Sequence, residues 1–292
     1  MRGNAAEHQL VAPGSLSAVL ELMAGEPGTW TPIAGGTELM VAFSAGRLEQ
    51  KKLVSLWGVP ELRFIDTNRH SIVIGAGTTF LDLRNHEIVC AELLLLAKAS
   101  GWIGSIANQT RATLGGNLVN GSPAADSSPA LLVYDANIEL ISARGRRMLP
   151  YSQFHTGYKS NAMAPDELLY AVHLPRRFDR HHQYLRKVGT RRAMAISKVA
   201  LGATALVEKN MVSEIRLAAA SLAPFPTRLF KTEAAILGMP LTPETLVAAR
   251  RELIAEAQPI DDIRSTADYR RQVAANLLDE FIFETVRGSA RT

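Results

Sequence analysis

The chain has 292 residues, 47% hydrophobic and 21% charged, so it is long enough for more than one core and too apolar for a disordered or fibrous class. Its formal net charge of +4 comes from local clusters: Arg144, Arg146 and Arg147; Arg176, Arg177 and Arg180 beside His181 and His182; and Arg186, Lys187, Arg191 and Arg192. No aromatic interleaving or reading helix accompanies them, so they read as a solvated or subunit-facing surface rather than a nucleic-acid track. A lone cysteine, Cys90, excludes an internal disulfide and cannot hold an iron–sulfur cluster, which needs about four thiolates. No apolar run reaches membrane-spanning length and the N-terminus has no apolar leader, which makes the cytoplasm the expected compartment.

In chain order, Pro13-Gly14-Ser15 precedes apolar residues at helical spacing, predicting a capped helix from Ser15 to about Gly25. A strand over Trp30–Ile33 runs into Ile33-Ala34-Gly35-Gly36-Thr37-Glu38-Leu39, and a short helix begins near Glu38 with Leu39, Met40 and Phe43 inward. Lys52–Leu56 and Arg63–Asp66 alternate as strands, and Ser71–Gly75 pairs back across Thr67-Asn68-Arg69-His70. A helical stretch from Thr79 to Gly101 places Phe80, Leu83, Leu93, Leu94 and Ala97 in the core. A second glycine-rich loop, Thr113-Leu114-Gly115-Gly116-Asn117, follows; Ser128-Pro129 then reads as an N-cap with proline at the first helical position. A hairpin over 137–150, a strand at Leu168–Leu174 and strands at Tyr184–Val188, Val199–Val207 and Ser213–Ala220 come next. Helices over Arg228–Leu237, Pro243–Ala257 and Thr266–Val286 close the chain. The class is α+β, divided into an N-terminal α/β lobe over 1–57, a middle α+β lobe over 58–177 and a C-terminal sheet with helices over 178–292.

The glycine pairs carry the chemistry. Each brings backbone N–H groups close to whatever lies above, a surface suited to an anionic dinucleotide diphosphate, and each is followed by small polar or acidic residues. Ordinary tight turns are the other reading. Neither pair belongs to G-x-G-x-x-G or to G-x-x-x-x-G-K-[ST], so neither a Rossmann nor a P-loop site is indicated. Asp126 has two readings as well: partner of the helix dipole after it, or acceptor for a ribose or flavin group. The seven histidines do not gather into a zinc pattern, no G-x-S-x-G elbow occurs, and Cys90 has no activating neighbour in sequence. With general acids and nucleophiles missing, any redox chemistry has to be supplied by a cofactor.

Ala34-Gly35-Gly36-Thr37-Glu38-Leu39, then Arg111-Ala112-Thr113-Leu114-Gly115-Gly116-Asn117, then Ser122-Pro123-Ala124-Ala125-Asp126 with Pro129-Ala130-Leu131-Leu132 together resemble the FAD-binding subunit of molybdenum hydroxylases, nearest to the bacterial xanthine dehydrogenase type. Tyr134-Asp135-Ala136, Phe154-His155-Thr156-Gly157, Asp166-Glu167-Leu168-Leu169 and Arg186-Lys187-Val188 fall in the same order. One departure precedes the second loop: Ala107-Asn108-Gln109-Thr110 stands where many relatives carry Gln-Ile-Arg-Asn.

The resemblance implies an FAD-binding fold of the vanillyl-alcohol-oxidase (PCMH) type, two α/β lobes followed by a C-terminal antiparallel sheet and helices like those of CO dehydrogenase flavoproteins. It implies non-covalent FAD with its pyrophosphate against Ile33, Ala34, Gly35, Gly36, Thr37, Glu38 and Leu39, and Ile103 and Gly104 near the flavin. Ala112, Thr113, Gly116, Asn117, Val119, Ser122, Ala125, Asp126, Leu169 and Lys187 would complete the pocket. Lys187 is either a surface lysine or a cation beside the ring, which would raise its potential. Molybdopterin and [2Fe–2S] clusters would reside on a large and a small partner subunit, with NAD⁺ as electron acceptor. A stand-alone flavoenzyme of the same fold and a nucleotide-binding scaffold without flavin are the rival readings.

Overall fold

The computed structural model describes residues 3–191 and 194–289; Arg192 of the last basic cluster lies outside them, as do positions 290–292. The first sheet is three-stranded and parallel, in the order β1-β3-β2, from β1 (Gln9–Val11), β2 (Thr31–Ile33) and β3 (Lys52–Ser55). Helix α1 (Leu16–Gly25) begins where the Ser15 hydroxyl accepts the Ala18 N–H at 3.3 Å. Its Leu16, Val19, Leu20 and Met23 recur on one face and are buried against Trp30, Val54 and Leu62. At about 1.5–3 kcal/mol per buried side chain, that stripe rather than helix propensity holds α1 in place. Helix α2 (Leu39–Ser44) departs from expectation: Leu39 and Phe43 are half-buried and Met40 is exposed, so the helix rides on the surface. Strand β1 escapes sequence reading because it is short and largely exposed, leaving no alternation to detect.

In the second sheet, β4 (Ile65–Thr67) and β5 (Ser71–Gly75) form the expected hairpin, its turn held by the Asn68 side-chain oxygen accepting the N–H groups of His70 and Ser71. The helical stretch after it is broken at His86 and Leu93 into α3 (Phe80–Asn85), α4 (Glu87–Glu92) and α5 (Leu94–Ser100). The break turns Leu94 outward and puts Leu95 and Leu96 into the core instead. Then come α6 (Ile106–Gln109), α7 (Leu114–Val119) and α8 (Ser128–Val133). Ser127, not Ser128, occupies the cap position of α8, without a side-chain capping bond. Strands β6 (Asn137–Ser142), β7 (Gly145–Pro150) and β10 (Leu168–Pro175) complete a five-stranded sheet in the order β4-β5-β10-β6-β7; β8 (His155–Gly157) and β9 (Ser160–Asn161) form a separate ribbon. β6 is buried on both faces. Ile138 and Leu140 join the core of Ile72, Ile74, Phe80 and Tyr134, while Ile141 meets α1 on the other side.

The third sheet is four-stranded and antiparallel: β11 (His182–Val188), β12 (Val199–Glu208), β13 (Met211–Ala220) and β14 (Thr227–Arg228). Lys209 and Asn210, with φ of 51° and 63°, make the tight β12–β13 turn in the left-handed conformation that twisted hairpins favour. Helix α9 (Phe230–Ala234) is shorter than expected because Thr227 and Arg228 pair with β13. Helices α10 (Pro243–Glu256) and α11 (Ala267–Ser289) cover one face through Leu253, Leu278 and Phe281, and α8 packs on the other.

The basic clusters are largely paired within the fold. Arg144 meets Asp166, Arg147 meets Glu167 at 2.6 Å, Arg176 meets Glu92 at 2.6 Å and Arg186 meets Glu280 at 3.2 Å. Asp135 is a hub of this pairing. It accepts from Arg216 (2.5 Å), Arg228 (2.7 Å) and Arg177 (2.7 Å), tying the corner after α8 to β13, β14 and the 176–181 segment. Burial pushes its carboxyl up, but the Arg216 and Arg228 guanidiniums bring it below the usual carboxylate value. A depressed carboxylate stabilises the fold above its unfolded pKa and loses that contribution as pH falls through the folded one. Asp135→Asn keeps a side chain that tolerates the 51° φ of this position and removes only the charge, so it is expected to destabilise by about 1–3 kcal/mol in urea unfolding near neutral pH, the difference shrinking in acid.

Burial likewise pushes His155 down to about 4, its ring packed among Tyr151, Phe154 and Phe225. Between about pH 6.5 and 4 the unfolded chain therefore binds a proton that the folded chain refuses, and stability falls with falling pH in that window. His155→Phe is expected to flatten that slope by about one proton in unfolding titrations; an unchanged slope would assign it to other groups.

Candidate functional site

Between the first and second sheets lies a cavity of about 520 Å³. The turn after β2 forms one wall, the start of α7 another, and the segment leading into β10 a third.

In the first wall, Gly36 has φ of +75°, a conformation costing a side-chain-bearing residue about 1–2 kcal/mol. Gly35 packs directly on the Arg111 backbone, where a Cβ would overlap the carbonyl oxygen. The Arg111 guanidinium lies 3.7 Å from the centre of the Trp57 ring, and its Nε donates to the Gly35 carbonyl at 3.4 Å. Held this way, the turn leaves the N–H groups of Gly35, Gly36, Thr37, Glu38 and Leu39 without an acceptor among the described residues. Such a run of backbone donors around one left-handed residue is an anion-binding concavity. The Trp30 indole N–H, on the same cavity wall, also lacks a partner.

The second glycine pair works differently from expectation. It is not a loop but the first turn of α7, and its donors are spent: Leu114 N–H on Thr78 O, Gly115 N–H on Ala76 O, Gly116 N–H on the Thr113 hydroxyl and Asn117 N–H on Thr113 O. A Cβ at Gly115 would come within 2.6 Å of the Ala76 Cβ, so that glycine serves close packing. Gly116 faces the cavity, where an added Cβ would sit 3.0 Å from Thr113 Oγ1 and 4.0 Å from the Ala34 Cβ. The two glycine pairs are therefore brought together, one as donor surface and the other as a smooth wall.

Of the residues singled out in sequence, Ile33, Ala34, Gly35, Gly36, Thr37, Glu38, Leu39, Ile103, Ala112, Thr113, Gly116, Asn117, Val119 and Leu169 line this cavity; Gly104, Ser122, Ala125, Asp126 and Lys187 do not. Asp126 and Lys187 instead meet each other. Lys187 Nζ lies 2.6 Å from Asp126 Oδ2, both side chains only 11% exposed, and the Ser197 hydroxyl donates to Oδ1 at 2.6 Å. Burial pushes the Asp126 carboxyl up, partly offset by Lys187 and Ser197. The adjacent Ser127 hydroxyl donates to the Asn117 side chain at 2.6 Å, which links this pair to the cavity wall. Gln109, at the departure before α7, is buried, accepts from Arg84 at 3.2 Å and donates to the Gly101 carbonyl at 3.3 Å.

Sequence reading misses Trp30, Ala76, Gly77, Asn161, Met163, Ala164, Pro165 and Glu167 as cavity residues, while Asn120, whose amide it reads as a possible phosphate or ribose partner, does line the cavity. Glu167 stood inside a noticed motif, and the Arg147 hydrogen bonds hold its carboxyl below the usual value. The 161–165 segment has no periodicity and gave no signal. Among the described residues no cluster of His, Cys, Asp and Glu could hold a metal, and no helix is long and apolar enough to cross a membrane.

Residues 6–177 match the family model for the FAD binding domain in molybdopterin dehydrogenase, and residues 184–285 match the CO dehydrogenase flavoprotein C-terminal domain. The xanthine dehydrogenase FAD-binding subunit of Escherichia coli O157:H7 is 31% identical over 274 residues, covering 93% of this chain and 94% of that protein. The carbon monoxide dehydrogenase medium chain of Hydrogenophaga pseudoflava is 28% identical, covering 91% and 93%. A solved structure of carbon monoxide dehydrogenase from Hydrogenophaga pseudoflava superposes with a TM-score of 0.91 at 27% identity, covering 96% of each chain. A cavity whose donor surface suits a diphosphate and a fold shared end to end with these flavoproteins lead to one statement: the chain belongs to the family of FAD-binding subunits of molybdopterin dehydrogenases, with the PCMH-type FAD-binding fold and the CO dehydrogenase flavoprotein C-terminal domain.

Proposed function

We propose that this chain is the FAD-binding subunit of a xanthine dehydrogenase-like holoenzyme, working with a small [2Fe–2S] subunit and a large molybdopterin subunit and delivering electrons to NAD⁺ in the cytoplasm. The observation that carries this reading is the row of N–H groups from Gly35 to Leu39, without acceptors among the described residues, in the lining of a cavity that Gly116 keeps clear. In this reading those amides hold the FAD diphosphate, and Ala34, Thr113 and Asn117 flank it. Ile103 and Gly104 lie toward the flavin, and Lys187 with Asp126 supplies the charge there. Ile33, Ala112, Val119 and Leu169 complete the cavity surface, and Ser122 and Ala125, outside its lining, take the far edge of the cofactor. The lobes are 1–57, 58–177 and 178–292, each containing one of the three large sheets.

When bound, FAD supplies redox chemistry that accepts and releases electrons singly or in pairs. The chain's own part is positional and electrostatic: it fixes the diphosphate, excludes side chains from its approach and sets the local charge. No acid–base residue has to move a proton for hydride delivery to a nicotinamide. The dehydrogenase substrate would bind on the large subunit, so this chain alone is expected to be inert toward purines. The xanthine dehydrogenase and carbon monoxide dehydrogenase relatives support one or the other class, and the 31% identity to the former against 28% to the latter favours the former.

Gly116→Val places a branched side chain between Thr113 and Ala34 and is expected to weaken FAD retention by about tenfold or more, with secondary structure unchanged. Full flavin absorbance in a folded variant would remove α7 from the diphosphate site. The purified chain loaded with FAD is expected to lose its visible flavin absorbance under anaerobic NADH and keep it under xanthine. Bleaching by neither would set aside NAD⁺ as acceptor while leaving FAD binding intact; a chain that takes up no FAD would overturn the reading itself.

A further inference from the structure

Where β11 ends and β12 begins, the Lys198 N–H is bonded to the Val188 carbonyl at 2.8 Å. Just before that closure sits Ser197, essentially buried, whose hydroxyl donates to Asp126 Oδ1 across 71 residues of sequence. Its backbone is held in turn: the Ser221 hydroxyl donates to the Ser197 carbonyl at 3.0 Å, and the Ser221 N–H donates to the Pro123 carbonyl at 2.8 Å. Ser221 itself sits at φ of 65°, and its carbonyl accepts from buried Arg270 of α11 at 3.4 Å. Asp126 thus has one oxygen on Lys187 and the other on a hydroxyl that the third sheet and α11 hold in place.

We propose that Ser197 is a positioning residue that fixes the Asp126 carboxylate against Lys187 and thereby sets how much of the lysine's positive charge reaches a bound flavin. This rests on the reading that places Lys187 beside the ring. A carboxylate in so dry a place needs donors on both oxygens to keep its charge. With the Ser197 hydroxyl present, Asp126 remains anionic and cancels much of Lys187. Without it, one oxygen is left bare, the carboxyl takes up a proton more readily, and the lysine acts on its surroundings less opposed. Burial already biases Asp126 toward the neutral form, so one hydrogen bond has leverage. The other serines nearby cannot substitute, since Ser127 is committed to Asn117 and Ser221 to the Ser197 carbonyl.

The test is a spectroelectrochemical titration at neutral pH of the full chain loaded with FAD, parent against Ser197→Ala, Ser197→Thr and Lys187→Met. Lys187→Met is expected to lower the flavin midpoint potential. Ser197→Ala is expected to raise it by about tenfold in the two-electron equilibrium, about 30 mV, and Ser197→Thr, which keeps the hydroxyl, to return it to the parent value. The Ser197→Ala, Lys187→Met double variant is expected to match Lys187→Met, because Ser197 acts only through the pair. An unmoved potential in Lys187→Met would remove the lysine from the ring and with it the reading on which this proposal rests. A lowered potential in Lys187→Met together with an unmoved or lowered one in Ser197→Ala would overturn the role of Ser197 alone, as would failure of Ser197→Thr to restore the parent value. A purely structural serine would shift unfolding midpoints in both variants and leave the potential where it was.

Discussion

The contact on which this site depends is Gly35 lying on the carbonyl of Arg111. It presses the turn after β2 against the approach to α7 closely enough to exclude a single extra carbon. With Gly36 turned left-handed beside it, the residues from Gly35 to Leu39 line the cavity and their N–H groups have no acceptor among the described residues. Unpaired donors in a dry interior would cost about 1–3 kcal/mol each, so they are tolerable only because these residues are half-buried or exposed beside an open cavity. An anion that replaces the solvent there gains several charge-assisted hydrogen bonds whose geometry is already fixed by the protein.

The second glycine pair shows how similar residues serve opposite needs. At α7 the amides are satisfied by Thr78, Ala76 and Thr113, so the helix start is anchored to the strand-to-helix passage before α3. Gly115 allows that anchoring by letting the helix touch Ala76, and Gly116 keeps the exposed side flat. One pair presents donors and the other presents nothing, which is what an extended dinucleotide passing between them requires. Arg111 connects the two by its carbonyl under Gly35, its guanidinium on Trp57 and its place two residues before the Thr113 cap.

Local features of the fold were legible in the chain. The α1 stripe, the Asn68 hairpin and both glycine pairs each depend on residues close in sequence, where spacing and turn chemistry speak directly. The errors arose where tertiary packing decides. Met40 was read as inward from spacing alone, yet α2 has no layer above it to bury that face. Spacing also puts Leu94 in the core because the run around it looks like one helix, but the break at Leu93 rotates the next turn. In the site, sequence could show that glycines were present and not which amides were already spent, because Thr78 and Ala76 lie some forty positions upstream. The pairing of Asp126 with Lys187 lies further still, 61 residues apart, between the turn before α8 and strand β11.

The ionic groups on the C-terminal sheet divide into those that hold and those that tune. Asp135 gathers Arg177, Arg216 and Arg228 at a third-exposed corner, where several guanidiniums share one carboxylate and the desolvation cost is moderate; such a cluster fixes the sheet's seat on α8. The Asp126–Lys187 pair is far drier on both sides, and a buried pair of that kind contributes little net stability because stripping water from two charges costs about what their attraction returns. An apolar pair would hold that junction as well. What an apolar pair would lack is a local field, and the neighbouring Ser127 hydroxyl, bonded to Asn117, ties the surroundings of the pair to the cavity wall. On the placement of FAD proposed above, the first lobe's amides would bind one end of the ligand and the Asp126–Lys187 pair would act on electron affinity at the other.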